Sequence, residues 1–165
     1  CIIILQLFVE KNACNLMEVH MVELREITKD NLEKVLDLSI YEHQESFVSS
    51  TAYSLAQAYA YRDTAFPFAI YAGDTIVGFI MLGYYEARNK YTLWKFLIDK
   101  KYQNKGYGRE ALIQGIRYLK DRFGAEEVYT GVKPGNENAK HLYRSVGFQE
   151  TGLVENDMGE MRYVW

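Results

Sequence analysis

Cysteine is nearly absent from this sequence: the only two, Cys1 and Cys14, lie close to its start. A chain without cysteine in its body has no disulfide framework, no thiol nucleophile and no zinc site held by thiolates. Secreted proteins of this size commonly rely on disulfides, so the low cysteine content favours a reducing compartment. We therefore expect a cytoplasmic protein.

Several catalytic signatures are missing as well. The three histidines, His20, His43 and His141, are scattered, and no His-Glu-x-x-His, Gly-x-Ser-x-Gly or Walker-type string occurs. Metal hydrolases, serine hydrolases and P-loop enzymes are therefore disfavoured, and no metal is expected. The formal net charge of −3 gives no basic field for nucleic acid. A small cationic ligand suits this charge better.

No apolar run in the sequence is long enough to cross a membrane. The apolar stretch at residues 1–9 is too short, has no preceding basic region and does not begin with Met. We interpret residues 1–20 as an upstream segment, with Met21 or Met17 as the natural start, because strand and helix patterning begins at Val22. Residues 21–165 have the size expected of one domain.

Hydrophobic periodicity predicts an α+β protein with one mixed sheet. The predicted strands are 22–27, 66–72, 75–84, 91–98, 127–132, 149–155 and 160–165, the last two joined by an Asn-Asp-Met-Gly turn. Asp30 and Glu33 predict a capping box for a first helix, and Ser54 is the predicted cap of a second helix at 55–61. A third helix is predicted from about residue 108 to Gly124, and a fourth ends at Gly147.

A short polar loop with two glycines lies between the strand that ends at Ile98 and the third helix. Backbone N–H groups at a helix N-terminus bind anions. Gly106 and Gly108 allow the backbone to approach a phosphate, and Lys105 and Arg109 add positive charge. An ordinary strand-to-helix turn with exposed basic side chains would look the same.

A dinucleotide site is another alternative for this loop. Gly106-x-Gly108-x-x-Ala111 fits a loosened Rossmann fingerprint, and Glu126 or Glu127 follows where a ribose-binding acid belongs. That fingerprint normally opens a series of βαβ units, whereas three consecutive predicted strands precede it here. The predicted topology therefore disfavours a dinucleotide site.

Two segments carry a resemblance to a known family. Residues 91–110 (YTLWKFLIDKKYQNKGYGRE) resemble motif A of the GNAT superfamily, with Gln103, Gly106 and Gly108 at its fixed positions. Residues 136–148 (NENAKHLYRSVGF) resemble motif B of the same superfamily. The resemblance implies a single mixed, largely antiparallel sheet flanked by helices, and an N-acetyltransferase with acetyl-CoA as its co-substrate.

The resemblance also implies roles for single residues. The strand before the loop would pair with the pantetheine arm, the N–H of Leu97 would stabilise the oxyanion, and Tyr143 would protonate the departing sulfur. Asn136 would hydrogen-bond the arm. Core packing is the alternative for Tyr143, and helix capping is the alternative for Asn136. The implied cofactor-binding residues are Phe96, Leu97, Ile98, Gln103, Asn104, Lys105, Gly106, Tyr107, Gly108, Arg109, Asn136, Lys140 and Tyr143.

Residues 44–58 and 93–99 are similar to the bacterial spermidine/spermine (diamine) N-acetyltransferases of the PaiA and BltD kind. This similarity implies a polyamine acceptor, such as spermidine or spermine, that attacks the thioester directly. Carboxylates and aromatic faces can hold a polycation. The candidate substrate-binding residues are Glu42, Glu45, Tyr53, Glu86 and Trp94.

Three questions stay open at this point. No motif marks a general base, although Glu42, Glu45 and Glu86 are candidates. The acceptor could instead be a peptide, protein or antibiotic amine, or the domain could be a non-catalytic acyl-CoA sensor. The sequence does not determine the oligomeric state, for which a homodimer is one option.

Overall fold

The computed structural model describes residues 21–165, and the interpretation of residues 1–20 as an upstream segment lies outside the described residues. The strands are β1 (Glu23–Glu26), β2 (Ala65–Ala72), β3 (Thr75–Tyr85), β4 (Lys90–Ile98), β5 (Glu127–Val132), β6 (Gln149–Glu155) and β7 (Met158–Val164). The α-helices of this part of the chain are α1 (Leu32–Leu36), α2 (Thr51–Ala60), α3 (Tyr107–Phe123) and α4 (Glu137–Val146).

The strands form one sheet in the order β1-β2-β3-β4-β5-β7-β6. Every neighbouring pair is antiparallel except β4 and β5, which are parallel. The predicted single mixed, largely antiparallel sheet is therefore confirmed. Parallel pairing of β4 with β5 is confined to Thr92 opposite Tyr129 and Leu93 opposite Thr130. Beyond these residues the two strands separate, which opens the centre of the sheet.

Helices cover both faces of the sheet and produce two hydrophobic clusters. Leu112 and Leu119 of α3 pack with Ile80 on one face, and Val35 of α1 packs with Phe79 on the other. Consecutive side chains of a strand point to opposite faces, so β3 is buried on both sides. This explains its almost continuous apolar sequence, which strict alternation would not produce.

The predicted N-terminal caps of the first two helices were wrong, whereas Gly124 and Gly147 end α3 and α4 as predicted. Asn31, rather than Asp30, precedes α1, and its side chain closes the preceding turn by accepting from the N–H of Thr28 at 2.8 Å. The short α1 consequently begins without a side-chain cap. Ser50, rather than Ser54, caps α2 by accepting from the N–H of Tyr53 at 3.2 Å.

The last hairpin is tighter than the sequence predicted. Its turn is Asn156-Asp157 alone, with φ angles of 48° and 60°, and β7 begins at Met158 rather than at Glu160. Asparagine and aspartate tolerate the left-handed conformation that a two-residue hairpin turn requires.

No helix within residues 21–165 combines the length and the apolar character needed to cross a membrane.

The close packing of Gly83 on Trp94 generates a first prediction. A Cβ added at Gly83 would lie 2.6 Å from Cε2 of Trp94, so Gly83→Ala must displace the indole. We expect a loss of about 1–3 kcal/mol in the free energy of unfolding, measured by urea denaturation. Gly159→Ala is the matched control, because its Cβ would meet nothing closer than 3.9 Å. Equal stability of both variants would show that the indole moves freely.

Candidate active site

The loop between β4 and α3 leaves backbone donors free at the start of the helix. Asn104 and Gly106 have φ angles of 62° and 84°, and Gly106 precedes α3 without a side-chain cap. Glu110 donates its N–H to the carbonyl of Gly106 at 3.2 Å. The N–H groups of residues 107–109 therefore have no acceptor within the helix. Such a group of donors, at the positive end of the helix dipole, binds an anion such as a diphosphate.

Asp99 fixes the beginning of this loop. Its side chain is buried, and its two oxygens accept from the N–H groups of Ser39 and Lys101, each at 2.9 Å. The N–H of Lys100 in turn donates to the carbonyl of Ser39 at 2.8 Å. One carboxylate therefore joins the loop to the segment that follows α1. Asp99 was not predicted, because no part of the matched motif distinguishes it from a surface acid.

Gln103 has a structural partner that the sequence did not indicate. Its Nε2 donates to the carbonyl of Ile98 at 3.0 Å and to Oε1 of Gln44 at 2.9 Å. Gln44 returns a bond from its Nε2 to Oε1 of Gln103 at 3.2 Å. The side chain of Gln103 thus holds the loop against β4 and against the segment before α2, and only its backbone remains for a ligand.

A first cleft of about 820 Å³ lies between the separated halves of β4 and β5. It extends from the loop at the start of α3 to the first turns of α4. It brings together most of the residues that the resemblance implied for the cofactor. The implied residues that line it are Phe96, Leu97, Ile98, Gln103, Asn104, Gly106, Gly108, Arg109, Asn136 and Tyr143.

Lys105, Tyr107 and Lys140 do not line this cleft. The ammonium of Lys105 lies 5.6 Å from the ring centre of Tyr102, and Tyr107 packs against the core of α3. Lys140 forms an ion pair with Glu150 at 3.1 Å, because its turn of α4 faces β6. These three residues were predicted from their positions in the motifs, but Lys105 lies in the loop before α3, and the helix faces that carry Tyr107 and Lys140 direct their side chains away from the cleft.

Tyr143 lies where β4 and β5 part. Burial raises its pKa to about 12, a shift that a hydrogen bond with the Thr130 side chain partly opposes. Thr130 donates in turn to the carbonyl of Leu93 at 3.3 Å, at the last paired position of the two strands. The phenol also packs in the core, with its ring centre 5.7 Å from that of Phe148. Tyr143 therefore packs in the core and also lines the cleft as a protonated donor.

The direction of the β4 amides bears on the predicted oxyanion donor. Asp99 donates its N–H to the carbonyl of Val77 on β3 at 2.9 Å. Along an antiparallel strand, N–H groups point alternately to the two sides. The N–H of Leu97 therefore points to β3, like that of Asp99, and those of Phe96 and Ile98 point towards the first cleft. The register thus argues against Leu97 as the donor.

A second cleft, of about 760 Å³, adjoins the first and is lined by aromatic and charged side chains. Of the candidate substrate-binding residues, Glu86 and Trp94 line it. Glu42, Glu45 and Tyr53 are exposed and line neither cleft. The two clefts meet where β4 and β5 diverge, and the residues common to both are Leu93, Trp94, Lys95, Thr130, Gly131 and Met158.

Lys95 stands at this junction and was missed in the sequence. Its ammonium donates to Oγ of Ser49 at 3.0 Å. Desolvation lowers its pKa, and the nearby positive charge of Lys133 lowers it further. The sequence contained a signal for this position, because a lysine within the apolar run LWKFLI needs a polar environment.

Within residues 21–165, no group of three His, Cys, Asp or Glu side chains is placed to hold a metal.

Comparison with known proteins identifies the fold. The profile of the acetyltransferase (GNAT) family matches residues 23–148. The chain belongs to this family. This GNAT N-acetyltransferase is 31% identical over 143 residues to the spermine/spermidine N(1)-acetyltransferase of Bacillus subtilis (strain 168), with 81% of this chain and 91% of that protein covered.

Solved structures of the family have the same fold. The spermidine N-acetyltransferase from Vibrio cholerae, in complex with CoA and spermine, is similar with a TM-score of 0.71 and 20% identity over 87% of this chain and 95% of that chain. PaiA N-acetyltransferase from Thermoplasma acidophilum, in complex with coenzyme A, is similar with a TM-score of 0.66 and 18% identity over 87% and 99%.

The buried bonds of Asp99 generate a second prediction. In Asp99→Asn, one of the two backbone N–H groups would face an amide NH₂ instead of an oxygen. We expect a loss of about 1–3 kcal/mol in the free energy of unfolding by urea denaturation, and weaker binding of coenzyme A by calorimetry. Asp121→Asn, an exposed position on α3, is the control. Unchanged stability and binding in Asp99→Asn would mean that the loop holds its shape without this carboxylate.

Proposed function

We propose that this GNAT N-acetyltransferase moves the acetyl group of acetyl-CoA to a primary amine of a polyamine such as spermidine or spermine. The observation that carries the proposal is the meeting of two clefts at the fork between β4 and β5. One cleft offers an anion site and the unpaired backbone of β4, and the other offers carboxylates and aromatic rings. The named activity of the Bacillus subtilis relative supports the same acceptor class.

The first cleft suits coenzyme A. Its diphosphate would accept hydrogen bonds from the free N–H groups of residues 107–109, with the guanidinium of Arg109 nearby. The pantetheine arm would follow β4, where Phe96 and Ile98 present backbone groups. Asn136 caps α4 by accepting from the N–H of Ala139 at 3.3 Å, which leaves its amide NH₂ as a donor to the arm. Asn136 can therefore cap α4 and hydrogen-bond the pantetheine arm at the same time.

The transfer itself requires three groups at the fork. The neutral amine nitrogen attacks the thioester carbonyl, a C–N bond forms, the C–S bond breaks, and the nitrogen loses one proton. We propose that the N–H of Phe96 stabilises the oxyanion by donating a hydrogen bond to it, because this N–H points to the first cleft and lies nearer the fork than the N–H of Ile98. Tyr143 delivers its phenolic proton to the departing sulfur, and its pKa of about 12 keeps that proton in place at alkaline pH as well as at neutral pH.

The second cleft suits a cationic acceptor. Glu86, Glu155 and Glu160 line it, together with the faces of tyrosines and of Trp94. Glu86 has no ion-pair partner among residues 21–165, so its carboxylate is available to an ammonium group. Of the three general-base candidates, only Glu86 lines a cleft. Glu86 is therefore the proposed substrate-binding residue and general base, whereas Glu42, Glu45 and Tyr53 lie outside both clefts.

Acceptor choice generates a third prediction. We expect release of coenzyme A thiol from acetyl-CoA with spermidine and spermine, and much slower release with lysine peptides and aminoglycosides. The physical reason is that a flexible polycation can reach the fork while its other nitrogens bind carboxylates. A thiol assay over this panel measures kcat/KM for each amine. Binding of coenzyme A with no turnover of any amine would instead support an acyl-CoA sensor.

Removal of the Tyr143 hydroxyl generates a fourth prediction. Tyr143→Phe should lower kcat about 100-fold at pH 7 and leave the Kd for coenzyme A unchanged. In the wild-type enzyme the acid form should persist above about pH 10, where an ordinary tyrosine is half ionised. Tyr163→Phe is the matched control, because its ring also packs on Phe148, with 5.7 Å between ring centres. Full activity of Tyr143→Phe would exclude Tyr143 as the acid.

A further inference from the structure

An alkylammonium site is already built into the second cleft, and the chain's own Lys90 occupies it. The ammonium of Lys90 lies 2.7 Å from Oε2 of Glu160 and 4.0 Å from the ring centre of Tyr129. The other oxygen of Glu160 accepts from Oγ1 of Thr151 at 2.9 Å. The Tyr129 hydroxyl donates to Glu127 on the same strand, which fixes the ring. A carboxylate and an aromatic face are the groups that recognise a primary ammonium.

This pair differs from its neighbour at the rim of the same cleft. The side chains of Lys90 and Glu160 are 21% and 19% exposed, whereas those of Arg88 and Glu155 are 45% and 47% exposed. Partial burial disfavours the charge of Glu160, but the bonds from Lys90 and Thr151 outweigh it and hold its pKa below the usual value. A half-desolvated carboxylate is costly without a cation. Glu160 therefore needs an ammonium partner, from the chain or from a ligand.

The position of Glu160 relates this site to the reaction. Glu160 lies directly opposite Gly131 in the β5–β7 register, and Gly131 lines both clefts at the fork. The next residue, Met161, is buried in the core on the α3 side. Because successive side chains alternate, Glu160 points to the opposite face, into the second cleft. The site is thus beside the point at which an attacking amine would meet the thioester.

We propose that Glu160 and Tyr129 bind the distal ammonium of the acceptor, and that Lys90 is an internal competitor which the acceptor must displace. Lys90 is the first residue of β4, and its flexible side chain can rotate out to solvent. An acceptor with a second cationic nitrogen replaces the Lys90 ammonium, and a monoamine leaves it in place. Lys90 then makes the site selective for acceptors with at least two amines. This inference rests on the proposed polyamine acetylation.

Substitution of each partner separates competition from a structural role. Lys90→Met should lower KM for spermidine about tenfold and leave KM for n-butylamine unchanged, because only spermidine competes with Lys90. Glu160→Gln should raise KM for spermidine about tenfold, again without effect on n-butylamine. Lys34→Met, an exposed position on α1, is the control. Unchanged KM for spermidine in both variants, in an enzyme that acetylates spermidine, would overturn the inference and leave the proposed function standing.

A stability measurement tests the site without turnover. Lys90→Met leaves the Glu160 charge unpaired, so its Tm should fall below that of the wild type. Saturating spermidine should restore that loss and raise the Tm more than it does in the wild type. The double variant Lys90→Met/Glu160→Gln should show neither the loss nor the rescue. Rescue without acetylation of any polyamine would support the site and refute the proposed function, and no rescue of Lys90→Met would refute the site.

If Lys90→Met does not fold, Glu160→Gln supplies the decisive result, because it leaves no unpaired carboxylate. It should remove the preference for spermidine over n-butylamine in kcat/KM. A preference equal to that of the wild type would overturn the inference.

Discussion

The arrangement of the active site depends on the early end of backbone pairing between β4 and β5. These two strands are the only parallel neighbours in the sheet of residues 21–165, and their backbone pairing covers two residue pairs. The hydrogen bonds that would continue the ladder are not made, so the backbone of β4 beyond Leu93 keeps polar groups for a ligand. Both clefts and the proposed roles of Phe96 and Tyr143 depend on this fork.

Other features keep the fork open. On one side, β3 pairs with β4 on either side of a register shift at Trp94 and is buried on both faces, which holds β4 in place. On the other side, β5 is tied to β7 over six residue pairs. The buried carboxylate of Asp99 and the paired amides of Gln44 and Gln103 fix the loop that follows β4. The free N–H groups of α3 are therefore held at the mouth of the first cleft.

The charges of the second cleft are largely balanced within the protein. Arg88 pairs with Glu155 and Lys90 pairs with Glu160, so net charge alone does not select a polycation. In the proposed reaction, selection instead arises from exchange of the Lys90 ammonium for an acceptor ammonium at Glu160. The proposed site favours a ligand with several amines. One ammonium of such a ligand can replace Lys90 while another nitrogen of the same ligand lies at the fork.

The structure shows which parts of the candidate site were readable in advance. The glycine loop, Asn136 and Tyr143 line the first cleft, and the sequence indicated them because each belongs to a contiguous motif with fixed spacing. Lys105 and Lys140 occur in the same motifs, yet the Lys105 side chain turns towards Tyr102 and that of Lys140 towards Glu150. Glu42 and Glu45 were chosen for charge alone and are exposed. The Lys90–Glu160 pair over Tyr129 was not predicted, because its three members lie on strands distant in sequence.

By itself, the sequence determined the order of strands and helices, the α+β class and the loop at the start of α3, because periodicity and turn chemistry are local. Only the tertiary structure decided where β4 and β5 part, which amides of β4 face the first cleft, and which carboxylates line the second cleft. The physical reason is that an amide's direction alternates with every residue, so it is set by the register with a partner strand. The partner of a charge is likewise set by strands that meet only in the folded sheet.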